Sequence, residues 1–327
     1  MTVTPSLDSW SRYAKDDWPT LLLGNGFSMN LWAGFSYTSL YDKASFAAPA
    51  EDLFTELKTT NFEQVLECIH HARLTEEALG RSTRLTERLY KEVRDELFSE
   101  VSNSHVPWTS ITKPVFDAVA KGVRAYERVF TTNYDLTLYW SLLQGLRTDE
   151  WADLFWNQGR VFDPNNVDLF DPRVTAVYYL HGAIHLWQRQ DGTCGKWTSA
   201  KSRLLDVLQN YTAASTKQPL FVSEGNSRRK LASIRRSEYL SFCLRELEDD
   251  DANTVVFGHG LGREDEHILV ALNNGPKRRI AVSMYPVQRP KKLQAQKARI
   301  VAALPRQKVL FFNSRTHPLG DSNLRVP

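Results

Sequence analysis

The sequence predicts an α/β protein built on a doubly wound, mostly parallel sheet of Rossmann-like type, with a helical insertion after the first strand. Apolar runs without alternation, such as Leu21–Leu23, are typical of strands that are buried on both faces of a parallel sheet. Strand and helix patterns alternate through the second half of the chain, which is typical of doubly wound folds. Residues 36–125 have helical patterns and are too long for a simple crossover between two strands. We therefore expect a single domain over residues 1–327 that carries this insertion within it.

Composition and charge narrow the class of protein. A chain of 327 residues with 42% hydrophobic and 24% charged residues can bury a large core as a soluble globular protein. A net charge of +3 permits nucleotide or nucleic-acid partners but does not require them. No C-x-x-C pair occurs among Cys68, Cys194 and Cys243, so neither a zinc ribbon nor a disulfide framework is expected. Without a secretory signal or an apolar run long enough to span a bilayer, we expect a cytoplasmic protein with no membrane attachment.

The first half of the chain is predicted from its apolar spacing and its caps. Residues 1–18 indicate a short surface helix that precedes the first strand. Asn61 is a candidate cap for the helix that follows it. Apolar residues recur every four positions from Leu85 to Leu97, which indicates an amphipathic helix. A further helix over 110–123 leads into the second strand, so the region between the first two strands is expected to be helical.

In the second half, short apolar runs predict strands and periodic stretches predict helices. The strands are expected at 176–180, 219–223, 254–257, 280–284 and 309–312. The helices are expected at 136–146, 227–247, from 264 onward and over 293–304. Asp191-Gly192 is a turn dipeptide between 184–187 and 196–198, so a small hairpin is expected there. Residues 150–175 are rich in Asn, Asp, Pro and aromatic residues, and are expected to form an ordered loop.

The stretch V-F-T-T-N-Y-D, residues 129–135, places an amide and an acid where a buried strand ends. Because side chains alternate along a strand, Asn133 and Asp135 are expected to point to the same side. Open α/β sheets bind their ligands at this edge. An alternative for Asp135 is that it caps the helix that begins near residue 136, and the residue taken alone favours that role.

The turn G-N-G-F-S, residues 24–28, follows the first strand and precedes a helix. Glycines let the backbone approach a ligand closely, and N–H groups at the start of a helix attract phosphate. Ser28 is also a candidate cap for that helix. Met29 stands where a dinucleotide-binding fingerprint has its third glycine, so an ordinary tight turn stays open as the alternative.

Two further strand ends carry histidines. His181 lies between the strand 176–180 and Gly182, and His259 lies in the loop G-H-G-L-G that follows the strand 254–257. A lone histidine in such a place is most often a core residue whose hydrogen bonds are satisfied. Because several strand ends carry small or polar residues, we expect one site assembled from them.

Taken in order, the motifs G-N-G-F-S, T-T-N-Y-D, L-H-G and V-V-F-G-H-G-L resemble those of the sirtuin family, over Leu21 to about Ile268. The resemblance implies an NAD site in which the glycine turn binds the pyrophosphate and the late loop faces the adenosine end. Asn133 would lie at the nicotinamide ribose, Asp135 would hold the carboxamide and His181 would be the catalytic base. The NAD-binding residues that the resemblance implies are Gly24, Asn25, Gly26, Phe27, Ser28, Thr132, Gly258, His259 and Asp265.

Departures from the sirtuin deacylases narrow the function that the resemblance implies. The paired zinc-binding cysteines of the deacylases are missing, Thr132 and Tyr134 replace the Gln and Ile of their second motif, and a helical insertion is added. This pattern is similar to the sirtuin-like NAD hydrolases of prokaryotes, which deplete NAD in anti-phage defence. It implies that NAD is the substrate, that nicotinamide and ADP-ribose are the products, and that no metal is needed. A defence-system partner or a phage trigger would then control the activity, and homo-oligomer formation stays open.

Other functions also stay open from the sequence. The nearest are a zinc-independent deacylase or ADP-ribosyltransferase, and a non-catalytic sensor of NAD or ADP-ribose that regulates a partner. Residues 277–299 contain eight Lys or Arg and no acid, and 228–236 add five more, which permits nucleic-acid binding. Such charge runs are most often solvated faces, so nucleic acid is not the expected partner. A Ser/His/Asp hydrolase is disfavoured because no G-x-S-x-G elbow occurs.

Overall fold

A computed structural model describes residues 7–165, 173–198, 204–205, 211, 216–224, 226–287 and 289–327 of the chain. Its strands are β1 (Thr20–Leu23), β2 (Arg128–Thr131), β3 (Trp151–Ala152), β4 (Thr175–Tyr179), β5 (Gly182–Arg189), β6 (Cys194–Lys196), β7 (Lys217–Phe221), β8 (Thr254–Phe257), β9 (Arg279–Met284) and β10 (Lys308–Asn313). Its α-helices are α1 (Asn25–Leu31), α2 (Tyr37–Tyr41), α3 (Ala48–Glu56), α4 (Phe62–Ala78), α5 (Arg84–Asn103), α6 (Lys113–Arg124), α7 (Thr137–Gly145), α8 (Ser227–Arg235), α9 (Glu238–Glu248), α10 (Glu266–Asn273) and α11 (Pro290–Ala303).

Within the described residues, seven strands form one parallel sheet in the order β10-β9-β8-β1-β2-β4-β3. β1, β4 and β8 are buried along their whole length, as expected for strands covered on both faces. The doubly wound, mostly parallel sheet that the sequence predicts is confirmed. Because β2 lies on one side of β1 and β8 lies on the other, the strand order reverses at β1. The carboxyl ends of these strands therefore form the crevice in which such sheets bind ligands.

The helices between β1 and β2 follow the spacing of the sequence. The Asn61 side chain accepts a hydrogen bond from the Glu63 N–H at 2.9 Å, so the predicted cap of α4 is confirmed. α5 buries Val93 and Leu97 as its four-residue spacing predicts, whereas Leu85 at its start is exposed. α6 packs against α7, which begins after β2. The division of the chain into one domain with an insertion over 36–125 stays a prediction.

A smaller antiparallel sheet, β6-β5-β7, continues directly from β4. The pairing of β5 with β6 confirms the hairpin predicted around Asp191-Gly192. Only Leu180 and His181 separate β4 from β5, so His181 is fixed at the junction of the two sheets.

Three local predictions are wrong. Ser28 does not cap the helix after β1, because α1 begins immediately after Gly24 and Ser28 lies inside it. The single helix predicted over 227–247 is α8 followed by α9, because the Ser237 side chain caps α9 and starts a new helix. The loop predicted over 150–175 contains β3, a two-residue edge strand too short to have an apolar pattern of its own.

The basic stretch 277–299 is partly used inside the structure. Arg279 pairs with Asp16 at 2.7 Å, and Arg299 donates to the Gly260 carbonyl at 2.8 Å. Residue 288 of this stretch lies outside the described residues, as do 1–6 of the predicted helix 1–18 and 166–172 of the predicted loop. None of the described helices is both long and apolar enough to cross a membrane.

Candidate active site

A cleft with a cavity volume of about 180 Å³ lies at the carboxyl ends of β1, β2 and β8. The predicted site residues that line it are Asn25, Thr132, Asn133, Asp135, His181, Gly258, His259 and Asp265. Apolar side chains from the helices between β1 and β2 line the same cleft, at Phe35, Leu40, Leu97 and Val101. The strand ends and these helices therefore enclose one common space.

Two glycines allow the turn after β1 to touch the loop after β8. The Gly26 N–H donates to the Gly258 carbonyl at 2.8 Å. A Cβ on Gly24 would lie 2.5 Å from the His259 Cα, which no side chain allows. Gly258 has φ +71°, and a Cβ there would lie 2.4 Å from the Phe27 nitrogen. The contact between the turn and the loop therefore requires glycine at both positions.

Ser28 joins the amide and the acid of the second motif. The Asn133 Nδ2 donates to the Ser28 Oγ at 2.9 Å and to the Gly24 carbonyl at 3.2 Å. The Ser28 hydroxyl donates in turn to the Asp135 Oδ2 at 2.6 Å. Ser28 is fully buried, so it supports the cleft from beneath rather than lining it. Asn133 and Asp135 thus face the same side, as the sequence predicts, although both follow the last residue of β2.

The Asn133 amide has one group left for a ligand. A carbonyl oxygen can only accept, so the bond to Gly24 identifies the atom nearest to it as the Asn133 nitrogen. The Asn133 Oδ1 is buried and has no hydrogen-bond partner among the described residues. Because an unpaired buried acceptor is costly, this oxygen is suited to accept a hydrogen bond from a water or a ligand hydroxyl.

Asp135 also holds the start of α7. Its Oδ1 accepts a hydrogen bond from the Thr137 N–H at 2.8 Å, although Leu136 and not Asp135 occupies the N-cap position of α7. The preceding N–H, of Leu136, donates to the His105 Nε2 at 2.8 Å. These bonds fix the carboxylate, and its Oδ2 keeps a lone pair on the side of the cleft.

His181 is a buried imidazole with a second histidine beside it. Its Nε2 lies 2.9 Å from the Nε2 of His267, and the Nδ1 of His267 lies 3.0 Å from the Ser227 Oγ. Burial lowers the pKa of His181 well below its ordinary value, although the Asp265 carboxylate acts in the opposite direction. The imidazole is therefore neutral near pH 7 and has a lone pair with which to accept a proton.

A buried ion-pair cluster lies next to His181, and we call it the Glu63–Lys230–Asp265 cluster. The Lys230 Nζ lies 2.9 Å from the Glu63 Oε2 and 2.8 Å from the Asp265 Oδ1. Burial raises the pKa of Glu63, and Lys230 partly opposes that rise. Burial would raise the pKa of Asp265 too, but Lys230 and His259 hold it well below its usual range. The cluster joins α4, α8 and the loop before α10 at one side of the cleft.

The ligand atoms of His181, Asp265 and His267 lie within 4.8 Å of one another, which is close enough to surround a cation. Both oxygens of Asp265 are already engaged, one with the Lys230 ammonium and the other with His259 at 3.4 Å. An ammonium bound to the same carboxylate repels a divalent ion. The expectation that the site uses no metal stays a prediction, and this arrangement favours it.

A second cleft, with a cavity volume of about 450 Å³, adjoins the first and shares with it Gly258, His259 and Gly260. Gly26 lines this second cleft, and Arg315 and Arg325 supply positive charge at its wall. Asp265 lies in the first cleft beside Lys230 and does not line the second cleft, and its role at the adenosine end stays a prediction. The Phe27 side chain is fully buried in the core and lines neither cleft.

Comparison with known proteins identifies the family. A family model described as "Domain of unknown function (DUF4917)" matches residues 21–319. The chain belongs to the DUF4917 family. No curated protein matches the DUF4917 chain in sequence.

Solved structures of Sir2 homologues are similar to the DUF4917 chain at low scores. A variant of a Sir2 homologue in complex with ADP-ribose has a TM-score of 0.39 at 13% identity, covering 94% of this chain and 91% of that one. A Sir2 homologue in complex with NAD has a TM-score of 0.36 at 13% identity, covering 94% of this chain and 89% of that one. Because these similarities are low, they indicate nothing about the chemistry of the DUF4917 site, which follows from its own residues.

Sequence reasoning missed the residues of the DUF4917 site that come from helices. Glu63 lies in the first turn of α4 and Lys230 in the basic stretch 228–236, where both have the pattern of solvated surface charges. Tyr37 lines the cleft as well. Their positions depend on how α4 and α8 pack on the strand ends, and the sequence around Glu63 and Tyr37 carries no local signal of that packing. The one available clue is a lysine in the middle of an apolar helix face, next to Leu231 and Ile234.

Proposed function

We propose that this chain is an NAD hydrolase, which breaks the nicotinamide–ribose bond with water to give nicotinamide and ADP-ribose. The observation that carries the proposal is the convergence of Asn133, Asp135 and His181 on one cleft beside the turn 24–28. These are the amide, the acid and the imidazole for which the motifs that resemble sirtuins imply a role at the nicotinamide ribose.

The reaction needs few groups from the protein. The bond between the ribose C1′ and the nicotinamide nitrogen breaks, and its electron pair leaves with nicotinamide, which becomes neutral. The positive charge passes to the ribose as an oxocarbenium-like state. Water then adds at C1′ and gives up a proton. Carboxylates that line the cleft, such as Asp135, favour this positive charge where it develops.

Each of the three residues has a role that matches its contacts. The unpartnered Asn133 Oδ1 accepts a hydrogen bond from the attacking water or from a ribose hydroxyl. The remaining lone pair of the Asp135 Oδ2 accepts from the nicotinamide carboxamide. His181, which burial keeps neutral, takes the proton from water. The apolar wall of Leu40, Leu97 and Val101 limits the amount of other water that enters.

The second cleft supplies room for the other half of the dinucleotide. It begins at the shared loop 258–260, and Arg315 and Arg325 are cations that suit the pyrophosphate. The dinucleotide would thus cross this loop, with nicotinamide ribose on one side and adenosine on the other.

The test is to incubate the purified chain with NAD and to separate the products by chromatography. We expect nicotinamide and ADP-ribose in equal amounts with no acceptor protein present. His181→Ala should lower turnover by about 100-fold or more, because a positioned proton acceptor contributes that much. His71→Ala, at an exposed histidine of α4, is the matched control and should keep the wild-type rate. Binding of NAD without cleavage would support a sensor instead, and product formed only with an acceptor protein would support a transferase.

We also propose that the chain acts in anti-phage defence by depleting NAD, as the resemblance implies. Cells that carry the wild-type chain should lose NAD during phage infection, whereas cells that carry His181→Ala should not. Equal NAD levels in the wild-type and the His181→Ala cells during infection would contradict this role. The hydrolase activity itself would still be tested on the purified protein.

A further inference from the structure

A further polar pocket, separate from both clefts of the candidate site, lies among the helices that follow the first cleft. It has a cavity volume of about 210 Å³ and lies between α4, α5 and α8. Its polar wall contains hydrogen-bond donors at His70, Arg73, Tyr90 and Arg229, together with the acceptor Glu87 and with Thr86, whose hydroxyl already donates to Glu76 at 2.8 Å. None of these residues has a part in the proposed NAD chemistry.

Two buried atoms of this pocket have no partner among the described residues. They are the Nη1 of Arg229 and the Nδ1 of His70. The Arg229 guanidinium packs over the Tyr90 ring, 5.0 Å from its centre, which fixes the side chain in the pocket. Burying a charged donor without an acceptor costs free energy, so a site with two such atoms favours a ligand that accepts hydrogen bonds.

The acids at the pocket, which include Glu76 at 2.8 Å from the Thr86 hydroxyl, have hydrogen-bond partners of their own. Glu87 lines the pocket, but its Oε1 accepts a hydrogen bond from the Thr83 hydroxyl at 2.9 Å. Arg73 pairs with Glu77 at 3.3 Å, and that carboxylate is 63% exposed, so the pair is weak. Burial together with the nearby Arg229 and Arg73 lowers the pKa of His70 to about 4. The Arg229 guanidinium is thus a cation of the pocket whose Nη1 has no acceptor among the described residues.

The helices that form this pocket are the ones that carry the ion pair of the active site. α4 carries Glu63 at its start and His70 and Arg73 further along. α8 carries Arg229 and, as the next residue, Lys230. A ligand held between Arg73 and Arg229 would therefore tie α4 to α8, as the Glu63–Lys230 contact does on the inner side.

We propose that this pocket binds the phosphate group of a small molecule and thereby fastens α4 to α8. Two guanidinium groups, an imidazole and the Tyr90 hydroxyl match the oxygens of a phosphate. The Ile69 side chain and the Tyr90 ring leave an apolar wall for an organic group attached to it. The site is independent of NAD cleavage, so it stands or falls separately from the proposed function.

The probes are inorganic phosphate and AMP, titrated into the full chain by calorimetry. We expect wild type and Arg228→Gln to bind with equal affinity, because Arg228 is the exposed neighbour on the same helix. Arg229→Gln and Arg73→Gln should each weaken binding at least tenfold. The two probes are compared only in the binding that Arg229→Gln and Arg73→Gln weaken. If AMP binds there more tightly than inorganic phosphate, the ligand is a phosphate ester. If the two probes bind equally, the ligand is free phosphate.

A urea unfolding curve of each variant checks that it is folded, and only folded variants are compared. Phosphate should also raise the unfolding midpoint of wild type and of Arg228→Gln, but not that of Arg229→Gln. The proposal is overturned if wild type binds neither probe. It is equally overturned if Arg229→Gln and Arg73→Gln bind as tightly as Arg228→Gln, because the anion would then lie in another cleft.

Discussion

At residue 133 the orientation of one amide decides what the cleft offers to a substrate. The bonds of the Asn133 Nδ2 to Gly24 and Ser28 turn its Oδ1 away from the backbone and leave it unpaired. Asn133→Ala removes this acceptor, so NAD turnover should fall by about 100- to 1000-fold, the usual effect of deleting one group that stabilises the transition state. The rate of nicotinamide release measures it.

Asn103→Ala is the control for that substitution, because Asn103 is an exposed amide at the end of α5. It should release nicotinamide at the wild-type rate. An Asn133→Ala variant that is folded and equally active would remove the amide from the mechanism and leave it a structural support for Ser28.

At the scale of an element, the loop after β8 depends on its first residue. Gly258→Ala combines a positive φ with a Cβ 2.4 Å from the Phe27 nitrogen, so it should lower the free energy of unfolding by roughly 2 to 4 kcal/mol. Gly275→Ala has nearly the same φ, +70°, but nothing within 4 Å of its Cβ, and should cost about 1 to 2 kcal/mol. Urea unfolding of both variants separates the cost of the positive φ from the cost of the steric clash of the added Cβ. Equal losses of unfolding free energy would show that the turn 24–28 and the loop after β8 are not in close contact at residue 258.

The contact between α4 and α8 depends on one buried ammonium. Lys230→Met leaves Glu63 and Asp265 buried without their cation, so it should destabilise the fold by about 3 to 5 kcal/mol. Lys91→Met is the matched control, because Lys91 is 72% exposed in its pair with Asp95 and should change stability little. Thermal unfolding of the two variants gives the comparison, and similar midpoints would mean that the cluster does not hold the helices.

Elements were predictable where their own residues determine them. β1 and β8 are apolar runs whose burial follows from the sheet, and Asn61 caps α4 through a side chain that any helix start can use. β3 was missed because two residues cannot show a period. The break between α8 and α9 was missed because Ser237 resembles any polar residue on a helix surface until its capping bond is seen.

For the whole molecule, acid should unfold the chain before its carboxylates are protonated. Burial lowers the pKa of His70, His105, His181, His185, His267 and His317. Below pH 6.5 the unfolded chain takes up protons that these folded histidines do not, so stability that is present above pH 6.5 is lost as the pH falls toward the folded pKa values. Each deeply buried histidine of this set that stays neutral should cost about 2 kcal/mol between pH 7 and pH 5, and the more exposed His70 should cost less. Urea unfolding at pH 7, 6 and 5 measures the loss.

His185 isolates one histidine of that set. Both its ring nitrogens are buried and have no partner among the described residues, and the ring stacks on Tyr139. His185→Leu should reduce the dependence of unfolding free energy on pH by about 1.4 kcal/mol per unit below pH 6. Ile184→Val, a neutral change at the neighbouring buried position, should keep the wild-type slope. A slope unaffected by His185→Leu would contradict the linkage.

The candidate site was predictable only in part because it draws on the whole chain. Asn133, Asp135 and His181 could be found because each follows an apolar strand, and parallel strands bring their carboxyl ends together. The Glu63–Lys230 contact joins residues 167 positions apart on two helices, and no strand register relates them. The direct contact of His181 with His267 across 86 positions is hidden from the sequence for the same reason.

The loop 258–260 separates the two clefts and belongs to the wall of both. Under the proposed function, compounds that mimic only one end of a dinucleotide would each occupy one compartment, and the two would bind together without competing. A short tether over the partition would join such a pair into one inhibitor. Its gain in affinity would come from the effective concentration of the second half rather than from any new contact.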